Sequence, residues 1–199
     1  MSYTGWIPEV LEESYSGIRE IALYTKHLMN RRIFLQGEID ANMANAVLSQ
    51  LLYLTDEGEQ PIHIYINSNG GEVDAGLMIY DMLQSIDTPV NLYCTGMAAS
   101  MAAVILAGGQ KGRRFILPHS KTMIDKPLIA GGVGGFAASS GHSLADSIEE
   151  TKGIVNEILA RHTGRTLEEI RRATDSACYM NAEESVAFGL CDEIKEKIL

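Results

Sequence analysis

Short apolar runs alternate along the chain with longer stretches whose apolar residues recur every three or four positions. The runs IFLQG (33–37), IHIYINS (62–68), VNLYCTG (90–96), RRFILP (113–118) and KTMID (121–125) read as strands. Between them, Met43, Val47, Leu51 and Leu54 share one helical face, and Val73, Leu77, Tyr80 and Leu83 share another. This βαβα order predicts an α/β fold with a largely parallel sheet and crossover helices. A helix of small residues begins near Ser100 and is ended by the glycines of 108–112. The C-terminal third reads as helical. A helix over about 143–162 carries Leu144, Ile148, Val155 and Leu159 with acids on its other face, and Gly164 ends it. Thr166 with Glu169 predicts a capping box, and Asn181 with Glu184 has the same spacing. The Gly- and Ala-rich stretch PLIAGGVGGFAASSG (127–141) predicts a flexible excursion from the core. No repeat, low-complexity tract or linker divides the chain, so residues 1–199 read as one domain.

The bulk composition narrows the function classes. A length of 199 residues with 46% hydrophobic content suits one ordinary core. A formal net charge of −10 argues against sequence-independent binding to nucleic acid, because phosphates meet repulsion over most of the surface. No apolar run reaches the roughly 20 residues of a membrane span. The N-terminal MSYTGWIPEVLEES lacks a basic segment followed by an apolar one, so no secretory signal is expected. Cys94, Cys178 and Cys191 are odd in number and show no metal-ligand spacing, which predicts reduced thiols in a cytoplasmic protein. No metal site is expected.

Three segments can carry chemistry: INSNGGEVDAG (66–76), GMAASMAA (96–103) and LPHSKTMIDKPL (117–128). Each lies at or just beyond the C-terminal end of a predicted strand, where open α/β sheets place their crevices. Ser100, at a strand-to-helix junction, has the setting of an activated nucleophile. Equally, Gly96, Ala98, Ala99 and Ser100 could be small only because two elements pack closely there. Gly70 and Gly71 permit a backbone shape that turns an N–H into the crevice, or simply form a turn.

The order YINSNGG, GMAASM, KGRRFILPHS, HTGRTLEEI and YMNAEESVAFGLCDEI closely resembles the Clp-protease proteolytic subunit, from about Ile7 to the end of the chain. The resemblance implies a ββα spiral domain of the type shared with the crotonase group, with a head (about 1–126 and 164–199) and a protruding handle helix (about 127–163). It implies heptameric rings stacked face to face as a tetradecamer around a chamber. An AAA+ unfoldase ATPase would feed it unfolded polypeptide, so that ATP is used by the partner and this chain needs no cofactor. Ser100 would be the nucleophile, the amides of Gly71 and Met101 the oxyanion donors. Gly131, Gly132, Val133, Gly134 and Gly135 would align the substrate backbone.

The resemblance fails at two triad positions. The family's catalytic histidine is Asp125 here, in MIDKPL, and its catalytic aspartate is Ala177, in TDSACY. Ser176 stands where the family has an arginine implicated in ring–ring contact, with Arg171 and Arg172 close enough in sequence to compensate. A histidine with a pKa of about 6.5 takes the serine proton and returns it to the leaving amine, whereas an ordinary aspartate at about 3.9 is a much weaker base. Residual catalysis without the triad is on the order of 10³ to 10⁴ over water. The expected function is therefore that of a subunit inactive or weak alone, assembling with an active paralogue. The alternative is an active serine endopeptidase whose base is supplied by another residue. His119 is the nearest histidine in sequence, and Lys121 or Lys126 could form a Ser–Lys dyad. His27 and His63 read as structural, His162 as a favourable cation at a helix C-terminus, and His142 lies at the handle entry. A crotonase-like acyl-CoA enzyme is a third class, but the HTG and MNAEE segments and the handle point away from it.

Overall fold

A computed structural model describes residues 8–15, 17–126 and 144–198. A parallel run of strands β3 (Arg32–Ile39), β4 (Ile62–Gly71), β5 (Val90–Ala99) and β6 (Arg114–Ile116) forms the centre of the fold, with β9 (Glu193–Ile194) on its far edge. Helices α2 (Ala41–Asp56) and α3 (Val73–Ser85) connect the first three of these strands. The chain is thus an α/β fold with a mainly parallel sheet.

The strand β5 changes partner along its length. Its first half pairs with β6, through Leu92, Tyr93 and Cys94. Its second half, Met97 to Ala99, pairs with β7 (Lys121–Ile124), which runs parallel to it. In turn β7 pairs antiparallel with β8 (Cys178–Met180), in the register Thr122↔Met180, Met123↔Tyr179 and Ile124↔Cys178. The change of partner brings the end of β7 beside the turn from β5 into the next helix.

That helix, α4 (Met101–Ala107), is buried along its whole length. Its alanines let it sit against β4, β5 and α3 at once. The tightness is visible at Gly76, where a Cβ would fall 2.6 Å from the Met101 side chain. The core joins Ile33, Leu35, Ile62, Ile64, Ile66 and Leu92 on the sheet to Val47, Leu51, Leu54, Ile79 and Leu83 on the two crossover helices. On the other face of the sheet Phe34, Tyr65, Tyr93 and Phe115 stack in a row, with centroids 5.1–5.4 Å apart.

The helix α5 (Leu144–Thr163) contributes Val155, Ile158 and Leu159 to the core. Both expected capping boxes form, at α6 (Leu167–Thr174) and α7 (Ala182–Phe188). Arg114, 1% exposed, ties several of these ends together. Its guanidinium donates to both carboxylate oxygens of Asp192, at 3.0 and 2.6 Å, and to the carbonyls of Ala107, His162 and Gly189.

Two readings of the sequence need correction. The C-terminal third is not wholly helical, since β8 and β9 lie in it as strands of three and two residues. A strand pair near the N-terminus, β1 (Glu9–Ser14) with β2 (Gly17–Ala22), was not anticipated. It leads into α1 (Leu23–Met29), and Glu12 of β1 pairs with Arg19 and Lys26. Its Leu11 and Ile18 stay exposed, so its apolar positions carry no core pattern. The segment 127–141 and His142 lie outside the described residues, and so do Gly131 to Gly135.

Candidate active site

Ser100 occupies a sharp turn between β5 and α4, with φ 51° and ψ −123°. A side chain in that region costs on the order of 1–3 kcal/mol and persists only where its surroundings over-determine it. Here they do. The Ser100 N–H donates to the Met123 carbonyl at 2.8 Å, and the Ser100 carbonyl accepts from Ala103 and Val104 at 2.9 and 3.2 Å. The hydroxyl caps nothing on the helix that follows.

The Gly70–Gly71 turn closes on this serine. A Cβ on Gly70 would lie 2.7 Å from the Ala99 carbonyl oxygen, 2.8 Å from the Ser100 Cβ and 3.1 Å from the Met101 nitrogen. Gly71 needs its hydrogen for a different reason, because a Cβ there would run into the backbone of Ile39. The Gly70 N–H is already used, donating at 3.0 Å to Ser68 Oγ, which itself donates to the Gly37 carbonyl at 2.5 Å. Gly71 lies opposite Ile39 in the parallel ladder, and it is Glu72 N–H that donates to the Ile39 carbonyl, at 2.8 Å. By the alternation of a parallel ladder, the Gly71 N–H therefore points away from β3, to the side where β5 ends in Ser100. Met101, first residue of α4, has no acceptor within its own helix. Two backbone amides thus flank the serine turn.

Asp125 follows β7 directly and shares a narrow pocket with Ser100, walled by Met101, Val104, Val155 and Leu159. Its Oδ1 is buried and makes no hydrogen bond among the described residues. Continuing the β7–β8 register by one rung puts Ala177 across from Asp125. A methyl group there can neither accept nor donate a hydrogen bond. Beside this rung Lys126 pairs with Asp175 at 2.8 Å, both side chains at least half exposed. Arg171 and Arg172 are exposed in the last turn of α6.

Among the described residues no histidine lines the pocket. His119 is exposed on the turn before β7, and Lys121 at the start of that strand, both at the end opposite Asp125. His63 bonds the Tyr93 hydroxyl at 3.1 Å, and burial, then Arg32, Arg113 and Arg31, hold its pKa down. His27 packs edge-on against Phe34. His162 departs from its expected role as a helix-end cation. It bonds the Tyr80 hydroxyl at 2.9 Å, and burial, with Arg114 and Arg161 nearby, lowers its pKa and favours the neutral ring.

The three cysteines are unpaired. Burial pushes the Cys94 thiol up to about 11 and the Cys191 thiol higher still, so neither supplies a nucleophile at neutral pH. No group of His, Cys, Asp or Glu among the described residues is arranged to hold a metal. No helix among them is long and apolar enough to cross a membrane.

Sequence reasoning missed two supports. Asn67 Oδ1 accepts from the Met97 N–H at 3.1 Å and fills the space a Cβ on Gly96 would need, 2.6 Å away. The readable trace of that contact is the glycine, since only a hydrogen fits. The other is the wall supplied by Val155 and Leu159, already legible as one helical face but not as part of a site.

A family model for the Clp protease matches residues 15–198. That span takes in the serine turn, the paired glycines, the β7–β8 rung and the closing α7–β9 segment, and this chain belongs to the Clp protease family.

Proposed function

We propose that this chain is a subunit of a Clp-type, self-compartmentalised ATP-dependent protease, inactive or weak by itself, that assembles with an active paralogue. The observation that carries the reading is the Asp125–Ala177 rung. On the resemblance, a carboxylate (Asp125) and a methyl group (Ala177) take the positions where attack on a peptide bond needs an imidazole and the acid that orients it, and Asp125 shares the Ser100 pocket. On this reading the chain supplies ring contacts and chamber wall in stacked heptameric rings, and Gly131 to Gly135 align a polypeptide against Ser100, Gly71 and Met101. Unfolded protein arrives from an AAA+ unfoldase, which uses the ATP. The chain itself uses no cofactor, binds no nucleic acid and works in the cytoplasm.

Cleavage of a fluorogenic peptide by the purified chain tests it. Wild type and Ser100→Ala are expected to be silent. The double variant Asp125→His/Ala177→Asp is expected to gain cleavage that a further Ser100→Ala removes. Wild-type cleavage abolished by Ser100→Ala would overturn the proposal. A second reading, an active serine endopeptidase with a substitute base, draws on the strained turn and uncapped hydroxyl that Ser100 keeps. It requires peptide turnover by the wild type that His119→Ala or Lys126→Ala abolishes.

A further inference from the structure

The pocket keeps a nucleophile and a carboxylate, with two backbone amides flanking the serine turn, but no imidazole among its described lining. We infer that Ser100 accepts a single acyl group from donors whose leaving group departs as an anion, namely aryl esters and thioesters, and retains it, with the Asp125 carboxylate receiving the hydroxyl proton through one bridging water. The inference rests on the proposed lack of peptidase activity and names what the same site still does.

Geometry supplies the acylation half. Ser100 sits in a positive-φ turn with its hydroxyl uncommitted to the helix. The Asp125 Oδ1 is buried in the same pocket and has no protein partner among the described residues, a costly state unless something completes it. No direct hydrogen bond joins it to Ser100, and the space they share suits about one water, so a proton relay of one water fits. The Gly71 N–H, turned away from β3, and the Met101 N–H are placed for the oxygen that becomes negative.

The leaving group decides the rest. The Ser100 proton passes through the water to the carboxylate as Oγ bonds the carbonyl carbon, and the carbonyl π pair moves to the oxygen. When the carbonyl reforms, the weakest base leaves with its bonding pair. Without a proton the nitrogen would have to leave as an amide anion, a far stronger base than the serine alkoxide, so an amide intermediate reverts. A nitrophenolate or thiolate is weaker, so an aryl ester or thioester goes forward. No histidine, lysine or tyrosine among the described lining can hand a proton to a leaving amine. Hydrolysis of the acyl-serine is slow beside acylation, since the serine alkoxide it must expel is a much stronger base than nitrophenolate or thiolate. The products are acyl-Ser100, the free anion and one proton.

The experiment mixes the purified chain with p-nitrophenyl acetate and follows nitrophenolate release, intact mass and peptide maps, with the fluorogenic peptide assayed in parallel. Expected is a burst approaching one equivalent per chain, one acetyl group on Ser100, and slow turnover afterwards. Ser100→Ala should abolish the burst. Asp125→Asn, nearly isosteric, should slow it roughly 100-fold, the low end of what general-base catalysis contributes. Added formate should restore part of the rate in Asp125→Ala, which a merely structural role for Asp125 would not allow. Unmodified Ser100 in the folded wild type, or an Asp125→Asn burst as fast as wild type, would overturn the inference and leave the proposed function standing. Peptide cleavage by the wild type would instead refute the proposed function, and with it the restriction to anionic leaving groups.

Discussion

Replacing Gly70 with alanine separates the cost of an unusual backbone angle from the cost of crowding the serine turn. Gly70 has φ +90°, and the added methyl would lie 2.7 Å from the Ala99 carbonyl oxygen and 2.8 Å from the Ser100 Cβ. Gly112 is the control, with φ +80° and nothing within 4 Å of its Cβ position. An L residue in the left-handed region costs about 1–2 kcal/mol, offset by roughly 0.4–1 kcal/mol from the stiffer unfolded chain. Gly112→Ala should therefore lose about 1 kcal/mol. Gly70→Ala carries that cost and an overpacking cost of about 1–3 kcal/mol, because its neighbours are largely backbone and cannot swing aside. The total is roughly 2–4 kcal/mol. With a urea slope of about 2 kcal/mol per molar, the two midpoints should differ by roughly 1 M. Urea unfolding followed by circular dichroism reads this directly. Equal midpoints would refute the claim that the Gly70 turn is pressed against the serine.

Two further outcomes follow from buried charge. Arg114→Met should cost about 3–5 kcal/mol in the same assay, because it takes the guanidinium from a mostly buried Asp192, which keeps only backbone N–H groups and exposed Lys111, and from three carbonyls. The second concerns pH. His63 and His162 both have folded pKa values below the ordinary 6.5, chiefly through burial. The unfolded chain therefore binds protons more readily, so their contribution is complete above that value and is lost as pH falls through the window beneath it. The urea midpoint should drop between pH 7 and pH 5.5, and His162→Gln should flatten part of that slope. An unchanged slope would count against a neutral, buried ring.

Long segments with a strong period were legible from sequence. The crossover helices on Met43–Leu54 and Val73–Leu83 and the five strands appear where the pattern puts them. Both capping boxes were readable because a side chain three residues downstream is a local signal. The β8 and β9 strands were not, since two or three residues hold no period and their existence depends on β7 and β6 being there to pair with. The role of His162 was invisible for a related reason. Its partner Tyr80 arrives from a distant element, and burial there, with Arg114 and Arg161 nearby, reverses what the helix end alone would favour. Around the candidate site, motif order pointed to Ser100 and the glycines. It could not reveal that Gly70 and Gly71 are glycine for different neighbours, one the serine turn and the other Ile39.

The Asp125–Ala177 rung also bears on how such a chain can change over generations. One step beyond the Ile124↔Cys178 pair, Asp125 falls across from Ala177, the two positions that the proposed reading takes as replaced. Restoring the imidazole alone leaves it without an orienting acid, a loss on the order of 10⁴ in kcat in a serine protease. Restoring the acid alone sets a second carboxylate beside the first and repels it. Neither single reversion confers an advantage for selection to retain, so on the proposed reading the pair acts as a ratchet. On that same reading, a chain changed at both positions is held to the role of a partner in an assembly.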